Sequence, residues 1–317
     1  GEARFRRHPE RVVTYIVNTN VNYTNVCVTR CDFCAFYRAP GHEEGYVLDA
    51  SEVVRRVRAA ESAGATQLLL QGGHHPRLGL EYFEGLFRAV REETRVHLHG
   101  LSAPEVLHLS RVAKRPVEDV LARLAAAGLQ TLPGGGAEVL ADEVRRAVSP
   151  LKCTADEWTR VHEVAHGLGV RSSATMMFGT VADDWEHRVE HLERLRTLQD
   201  RTGGFTAFVA WTYQPSEGMV AGGRRSPATY LRLVALARLH LDNVATIQAS
   251  PLTQTPGVVQ LALDAGADDY GNVLLEEHVV HAAGVELRAT EAKARREIEE
   301  AGYEPVRRDT LYRKERA

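Results

Sequence analysis

The stretch 22–38, NYTNVCVTRCDFCAFYR, decides how the whole chain is interpreted. It contains three of the chain's four cysteines, Cys27, Cys31 and Cys34, in a C-x3-C-x2-C spacing. An apolar, β-prone run lies just upstream, so we expect the cysteines to lie on a loop that follows a strand. A short loop of this kind is able to direct three thiolates at one point.

Three thiolates on one loop are compatible with more than one metal group. They hold three irons of a [4Fe-4S] cluster and leave the fourth iron open, as a catalytic metal requires. They also bind zinc together with a histidine, and His42 is close enough in sequence. A disulfide is disfavoured, because it leaves one cysteine unpaired and no secretion signal is visible. Phe33, Phe36 and Tyr37 favour a dry, cluster-like pocket.

This cysteine spacing, with an aromatic residue before the third cysteine, is similar to the signature of the radical S-adenosylmethionine (SAM) enzymes. The longer run 22–48, NYTNVCVTRCDFCAFYRAPGHEEGYVL, resembles one branch, the cyclic dehypoxanthine futalosine synthases of the futalosine route to menaquinone. The resemblance continues along most of the chain in QGGHHP (71–76), HLHGLSAPE (97–105), PGGGAE (133–138), SPLKCT (149–154), ATMMFG (174–179), GGFTAFVAWTYQP (203–215) and LDNVATIQAS (241–250). It implies a [4Fe-4S] cluster on Cys27, Cys31 and Cys34, with SAM as second cofactor.

The resemblance also implies a reaction. A 5′-deoxyadenosyl radical takes the C4′ hydrogen from the sugar of dehypoxanthine futalosine, and the resulting carbon radical closes a ring onto the benzoate. A proton and an electron then leave, and the electron donor is a protein such as flavodoxin or ferredoxin. Aminofutalosine synthase and the F0 synthase subunits, which use similar barrels, are the alternatives within the superfamily. A non-enzymatic iron–sulfur or zinc protein is the alternative outside it.

Composition excludes several other classes of function. The 317 residues carry 39 basic and 42 acidic side chains, and the net charge of −3 does not support nucleic-acid binding or a polybasic membrane surface. No apolar run approaches the roughly 18 residues of a membrane-spanning helix. Closely spaced thiols without a secretion signal predict a cytoplasmic protein. We expect the lone Cys153 to be a small buried residue.

Strand-like and helix-like segments alternate along the chain. Eight such units, each of roughly 25 to 40 residues, predict a closed (β/α)8 barrel of radical SAM type, and a partial barrel of six units is the alternative. We expect one domain over 1–317, with a core at about 12–285 and an extension at 286–317. The predicted strands are 22–26, 66–71, 95–101, 129–132, 170–176, 205–211, 243–248 and 268–270, with a possible strand at 310–313.

The predicted helices fill the segments between these strands. The first is expected to begin at Ser51 as N-cap and to end at Ala63–Gly64. Two further helices are divided by Pro116, since proline is tolerated only at a helix start. The remaining predicted helices are 80–93, 142–148, 154–167, 183–202, 226–241, 256–265 and 274–283, followed by one after Thr290.

In such a barrel the active site lies at the C-terminal ends of the strands. Glycines allow a backbone to approach a ligand closely, and the resemblance implies that Gly72 and Gly73 meet the amino group of SAM. Without the resemblance, a tight turn after the strand explains the glycine pair equally well. His74 stands where the superfamily usually has Glu. We expect Glu138 to accept hydrogen bonds from the SAM ribose, the alternative being an exposed acid at a helix start. The other expected cofactor contacts are Ser102 and Thr175.

Candidate substrate contacts follow several of the predicted strands. Imidazole titrates near neutral pH, so we predict His75 as the catalytic base. Trp211 and Tyr213 are expected to stack on an aromatic substrate, and packing at the barrel rim is the alternative for both. The predicted substrate-binding residues are His74, Trp211, Tyr213, Gln214 and Gln254.

Overall fold

Eight parallel strands close into a barrel. The computed structural model describes residues 2–216, 219–223, 226–276, 278–279, 281–284 and 290–315. The strands follow one another in chain order, and the sheet closes because β1 pairs with both β2 and β8. They are β1 (Val12–Asn22), β2 (Gln67–Gln71), β3 (His97–Gly100), β4 (Thr131–Leu132), β5 (Arg171–Phe178), β6 (Phe205–Thr212), β7 (Thr246–Gln248) and β8 (Asp269–Leu274). The predicted (β/α)8 barrel is confirmed.

The helices surround this barrel. None of the described helices is both long and apolar enough to cross a membrane. The helices are α1 (Glu2–Arg7), α2 (Ala50–Ser62), α3 (Leu80–Glu93), α4 (Ala103–Ala113), α5 (Val117–Ala127), α6 (Asp142–Val148), α7 (Ala155–Gly167), α8 (Trp185–Thr202), α9 (Pro227–His240), α10 (Pro256–Ala265) and α11 (Glu291–Glu300), with a 3-10 turn at His281–Ala283. The predicted helices 80–93, 142–148 and 256–265 agree to the residue.

Two predictions near the N-terminus were wrong. Helix α2 is capped by Asp49 and not by Ser51, because the Asp49 carboxylate accepts the backbone N–H of Glu52 at 2.8 Å. The predicted strand at 22–26 does not form, because β1 ends at Asn22. The residues after Asn22 pair instead with later residues of the same loop, Thr24 with Val47 and Val26 with Arg38. The carbonyl of Tyr23 accepts the N–H of Leu48 at 2.8 Å.

Two predictions near the C-terminus were also wrong. Among its described residues, the segment predicted as a helix at 274–283 has only the short 3-10 turn, since β8 continues to Leu274, where it pairs with Asn18. The last strand is β9 (Glu304–Arg307) and not 310–313, because the residues 304–307 pair in parallel with the start of β1. The predicted boundary between core and extension, between residues 285 and 286, lies outside the described residues.

The segment after β9 closes the N-terminal end of the barrel. Arg308 is buried and forms an ion pair with Asp269 at 2.5 Å between Nε and Oδ2. Gln248 accepts hydrogen bonds from Arg308 (3.3 Å) and from the Tyr312 hydroxyl (2.8 Å). The guanidinium of Arg308 lies 3.6 Å from the centroid of the Tyr312 ring. These side chains form the floor of the barrel.

The hydrophobic core lies between the barrel and the helices. Leu68, Met176 and Phe208 face outward into this layer and are fully buried. Their inward-facing neighbours Leu69 and Val209 are partly exposed. Alternate residues of a strand face opposite sides, so Leu69 and Val209 point into the barrel. Their partial exposure shows that water reaches the interior of the barrel.

Candidate active site

The three clustered cysteines lie on the loop that follows β1. All are free thiols; Cys31 is buried, and Cys27 and Cys34 are half-buried. Backbone hydrogen bonds hold the loop, since the Cys27 N–H donates to the carbonyl of Arg38 (2.9 Å) and the Cys34 N–H to that of Cys31 (3.1 Å). The cysteine loop therefore has a defined backbone at the C-terminal end of the barrel, as the sequence predicted.

The three thiols are compatible with a [4Fe-4S] cluster. Burial raises the pKa of Cys31 to about 12, although Lys152 opposes this shift, and burial also raises the pKa of Cys34. A metal cation binds the thiolate form of cysteine and therefore displaces the thiol proton. Among the described residues, no group of three or more His, Cys, Asp or Glu side chains is placed to hold one metal ion. Because each cysteine of a [4Fe-4S] cluster binds a different iron, its sulfurs need not converge as closely as those around zinc.

The Gly72–Gly73 turn packs directly against the cysteine loop. A Cβ atom on Gly73 would lie 2.3 Å from the carbonyl oxygen of Val26, and one on Gly72 would lie 2.8 Å from the Tyr23 ring. The N–H of Gly73 donates to the carbonyl of Thr24 at 2.9 Å. Both positions therefore require glycine because the protein packs closely on itself. The sequence analysis gave a different reason, the close approach of a ligand. The contact with SAM stays a prediction.

Glu105 joins three loops and was missed from the sequence. Its buried carboxylate accepts the N–H of Gly72 (2.9 Å), the hydroxyl of Tyr23 (2.9 Å) and both the N–H and the hydroxyl of Ser102 (2.6 and 2.5 Å). Burial raises the pKa of Glu105, although the donors oppose the shift. The Ser102 hydroxyl, a predicted SAM contact, donates within the protein. The S-x-x-E capping box at 102–105 was the signal in the sequence.

His74 packs against the cysteine loop and holds it through hydrogen bonds. Its Nδ1 lies 2.5 Å from the hydroxyl of Thr29, between the first two cysteines, and its carbonyl accepts the N–H of Val28 at 3.1 Å. The ring is stacked on His108 with the centroids 5.1 Å apart. Burial lowers the pKa of His74 well below its ordinary value, so the ring is neutral. These contacts place His74 in the support of the loop; its predicted contact with substrate is untested.

His75 lies at the rim. With Pro40, His42 and Tyr46 it lines a cavity of about 290 Å³, to which none of the three cysteines contributes. Its Nδ1 accepts the backbone N–H of Arg77 at 3.1 Å, and burial lowers its pKa. This cavity joins His75 to the loop at 40–47 and not to the thiols, and the role of His75 as a base stays a prediction.

A buried ion pair lies beside the cysteine loop. The Lys152 ammonium donates to the carboxylate of Glu138, which is 6% exposed. Glu138 is therefore not the exposed helix-start acid of the alternative interpretation. Lys152 lies 5.2 Å from the centroid of the Phe33 ring. Burial by itself lowers the pKa of Lys152, but Cys31 and Glu138 raise it above its ordinary value, so this side chain is a cation.

Lys152 had no clear signal in the sequence, since it is one lysine among several basic residues. Its neighbour Cys153 is buried, as predicted, and its sulfur accepts a hydrogen bond from the guanidinium of Arg145 at 3.3 Å.

The glycine loop after β4 is fixed by β5. The hydroxyl of Thr175 donates to the carbonyl of Gly134 at 2.5 Å, and the hydroxyl of Ser173 accepts the Gly134 N–H at 3.1 Å. A Cβ atom on Gly135 would lie 2.5 Å from the amide nitrogen of Gln71. Thr175, a predicted SAM contact, thus positions this loop against the end of β2.

The predicted aromatic contacts have different environments. Trp211 is partly exposed at the end of β6. Tyr213 is 1% exposed, and its hydroxyl donates to the carbonyl of Val220 at 3.1 Å. The N–H of Val220 in turn donates to the carbonyl of Asp32 on the cysteine loop. Packing at the rim therefore accounts for Tyr213, while Trp211 keeps a surface for a ligand.

The structure brings the two predicted glutamines together. The side-chain nitrogens of Gln214 and Gln254 both donate to the hydroxyl of Thr212, at 3.1 and 2.9 Å. Gln214 is buried and Gln254 is partly exposed. Their binding to substrate stays a prediction.

The chain is similar in sequence to known enzymes over almost all of its length. Residues 21–195 match the Radical SAM superfamily, and residues 202–317 match the CofH/MqnC C-terminal region. The chain is 46% identical to a cyclic dehypoxanthine futalosine synthase of Streptomyces coelicolor, over 96% of this chain and 76% of that protein. It is 39% identical to an aminodeoxyfutalosine synthase of Thermus thermophilus, over 99% of this chain and 86% of that protein.

A solved structure agrees with the fold. The FeFe-hydrogenase maturase HydG of Carboxydothermus hydrogenoformans superposes with a TM-score of 0.75 and 18% identity, over 98% of this chain and 72% of that one. At this identity the likeness concerns the barrel alone.

Proposed function

The chain belongs to the radical SAM superfamily, and we propose that it is a cyclic dehypoxanthine futalosine synthase. The observation that carries the proposal is the higher identity to the Streptomyces cyclising enzyme than to the Thermus aminodeoxyfutalosine synthase. The three free cysteines on one loop support it. We further propose a cytoplasmic enzyme that receives electrons from a donor such as flavodoxin or ferredoxin.

Cys27, Cys31 and Cys34 would hold a [4Fe-4S] cluster, which together with SAM would supply the one-electron chemistry that removes the C4′ hydrogen of the substrate sugar. Ring closure onto the benzoate would then release one proton to the proposed base, His75, and one electron to the oxidised cluster. Rigid positioning of the reacting groups accounts for much of the rate in such reactions.

The remaining residues act through position and charge. Glu105 and His74 fix the cysteine loop through the contacts described above, and Lys152 places a positive charge beside it. The Gly72–Gly73 backbone is the proposed contact for the amino group of SAM. Both N–H groups are used within the protein, and the carbonyl of Gly73 accepts the N–H of His75 at 2.9 Å, so the carbonyl of Gly72 is the preferred acceptor. Glu138, Ser102 and Thr175 are the further candidate contacts.

His75 is the proposed base for the ring proton, and Trp211, Gln214 and Gln254 are the proposed surroundings of the substrate. Tyr213 is proposed to act on the substrate only through its packing at the rim, since its side chain is buried. The His75→Ala variant should still release 5′-deoxyadenosine but form less cyclic product. Equal amounts of cyclic product from wild type and variant would assign the base to another residue.

Product identity tests the function. The reduced holoenzyme is incubated with SAM and either dehypoxanthine futalosine or the substrate of aminofutalosine synthase, and the products are weighed by mass spectrometry. We expect a cyclic product two hydrogens lighter than dehypoxanthine futalosine. An adenosylated product would move the assignment to aminofutalosine synthase, the candidate that the 39% identical relative supports.

A further inference from the structure

The barrel has an apolar inner wall at the C-terminal ends of β5 and β6. Phe178 and Phe208 face outward, since their rings contact side chains of α8. Alternate residues of a strand point to opposite faces, so Met177 and Trp211 face the interior of the barrel, as does Val209. Met177 and Trp211 are partners in the register of β5 and β6, and their side chains therefore lie next to each other.

The side chains of this wall are not used in the hydrophobic core. Met177, Trp211 and Val209 are each partly exposed. In contrast Met176, the residue before Met177, packs between the barrel and the helices and is fully buried. Apolar surface in contact with water is unfavourable, and an apolar part of a ligand that covers it removes this cost. Apolar and aromatic side chains of this kind usually line the sites of small molecules.

The opposite inner wall is polar. The strands follow chain order around the barrel, so β1 and β2 lie four strands away from β5 and β6. Tyr15 of β1 faces outward, because its hydroxyl donates to a carboxylate of α11 at 2.8 Å. Gln71 of β2 is partly exposed and pairs with the last residue of β1. The residues of β1 that face inward, with parity opposite to Tyr15, include Asn18, Asn20 and Asn22.

The proposed substrate is divided in the same way, since it joins an aromatic ring to a sugar with hydroxyl groups. The thioether of methionine makes favourable contacts with aromatic rings, and the indole of tryptophan stacks on them. Amides match hydroxyl groups, because both donate and accept hydrogen bonds. The cysteine loop follows β1. The sugar, which carries the reacting hydrogen, therefore belongs on the β1 side, and the ring on the apolar wall.

We propose that Met177 is a specificity-determining residue that binds the benzoate ring of the substrate beside Trp211, with the sugar directed towards β1 and β2. This inference rests on the proposed function and adds a contact that fixes the direction of the substrate in the barrel. In this orientation the reacting sugar carbon lies between the cysteine loop and the ring. It therefore faces both the side on which its hydrogen is removed and the ring to which it must bond.

The test measures binding apart from turnover, by calorimetric titration of dehypoxanthine futalosine into holoenzyme that contains SAM and an oxidised cluster. We expect Met177→Ala to bind about 10-fold more weakly than wild type, a difference of about 1.4 kcal/mol. Met177→Leu has a similar volume and should stay within about threefold of wild type. Iron content and SAM affinity should be unchanged in both variants. Wild-type affinity of Met177→Ala for the substrate would overturn the proposal.

An analogue of the substrate tests the orientation. With a methyl group in place of the benzoate, the analogue presents the sugar but not the ring. It should bind more weakly than the complete substrate, and with equal affinity to wild type and to Met177→Ala. If Met177→Ala loses as large a factor of affinity for this analogue as for the complete substrate, Met177 does not contact the ring, and the proposed orientation is wrong.

Met176→Ala provides the matched control. Met176 is the adjacent residue of β5 but has the opposite orientation, so its truncation leaves a cavity in the core. We expect Met176→Ala to have a lower melting temperature and wild-type affinity for the substrate, and Met177→Ala to show the reverse. An equal loss of substrate affinity in both variants would assign the effect to β5 as a whole and overturn the inference.

The failure of this inference differs from the failure of the proposed function. A wild-type protein that neither binds nor converts dehypoxanthine futalosine would overturn the proposed function. A wild type that converts this substrate, together with a Met177→Ala variant that binds it normally, would overturn the inference alone.

Discussion

The two ends of the barrel use buried polar groups in opposite ways. At the floor, Arg308, Asp269, Gln248 and Tyr312 satisfy one another. At the mouth, Glu105 and His74 hold the loops, while three thiols remain free. The floor is therefore built for stability, and the mouth keeps its reactive groups available. Substitutions at the two ends should separate stability from cofactor chemistry.

The largest effect is expected at the cysteines. Cys27→Ala, Cys31→Ala or Cys34→Ala should abolish the cluster absorbance and all cleavage of SAM, because each removes the ligand of one iron. Cys153→Ala is the control, since that thiol contacts Arg145. If the Cys153 variant loses iron as completely as the others, the three-cysteine site is wrong.

Gly73→Val should also affect the cluster. A side chain there meets the backbone of Val26, so the cysteine loop must move. We expect iron content and SAM affinity to fall together, by more than in Gly85→Ala, a control at a helical glycine with open space around it. A normal iron content with weak SAM binding would show that the turn serves the ligand alone.

Arg308→Met should act on stability alone. Removal of one partner from a buried ion pair leaves an unpaired charge and costs about 3–5 kcal/mol. Thermal unfolding should therefore shift strongly downward, while the cluster spectrum at low temperature stays unchanged. Loss of iron in the folded variant would contradict the separation of the two ends.

Lys152→Met should have the smallest effect on iron content, although it leaves the buried carboxylate of Glu138 unpaired and therefore lowers stability as well. The positive charge beside Cys31 stabilises the extra negative charge of a reduced cluster, by about 1 kcal/mol or roughly 40 mV for one electron. We expect a lower midpoint potential in Lys152→Met and a nearly unchanged one in Lys152→Arg. Equal midpoint potentials in wild type, Lys152→Met and Lys152→Arg would show that the charge of Lys152 does not influence the cluster.

The sequence predicted the barrel well, because α3, α6 and α10 have clear apolar periodicity and terminators. It did not predict β9, since four residues near one end of the chain pair with the start of β1 near the other end. Local pattern carries no information about such a distant pairing.

Within the site, the cysteine loop was predictable because its ligands are neighbours in sequence. The contact of Glu105 with Gly72 was not, since it depends on how two separate loops meet. The inward-facing asparagines of β1 could have been found, because the alternation at 17–22 is a strand pattern with polar residues on one face.

The most direct test of the proposed reaction follows the C4′ hydrogen. Substrate carrying deuterium at the sugar C4′ is incubated with reduced holoenzyme and SAM, and the released 5′-deoxyadenosine is weighed. The account predicts deuterated 5′-deoxyadenosine, with about one SAM consumed for each cyclic product. Unlabelled 5′-deoxyadenosine formed together with the product would contradict it.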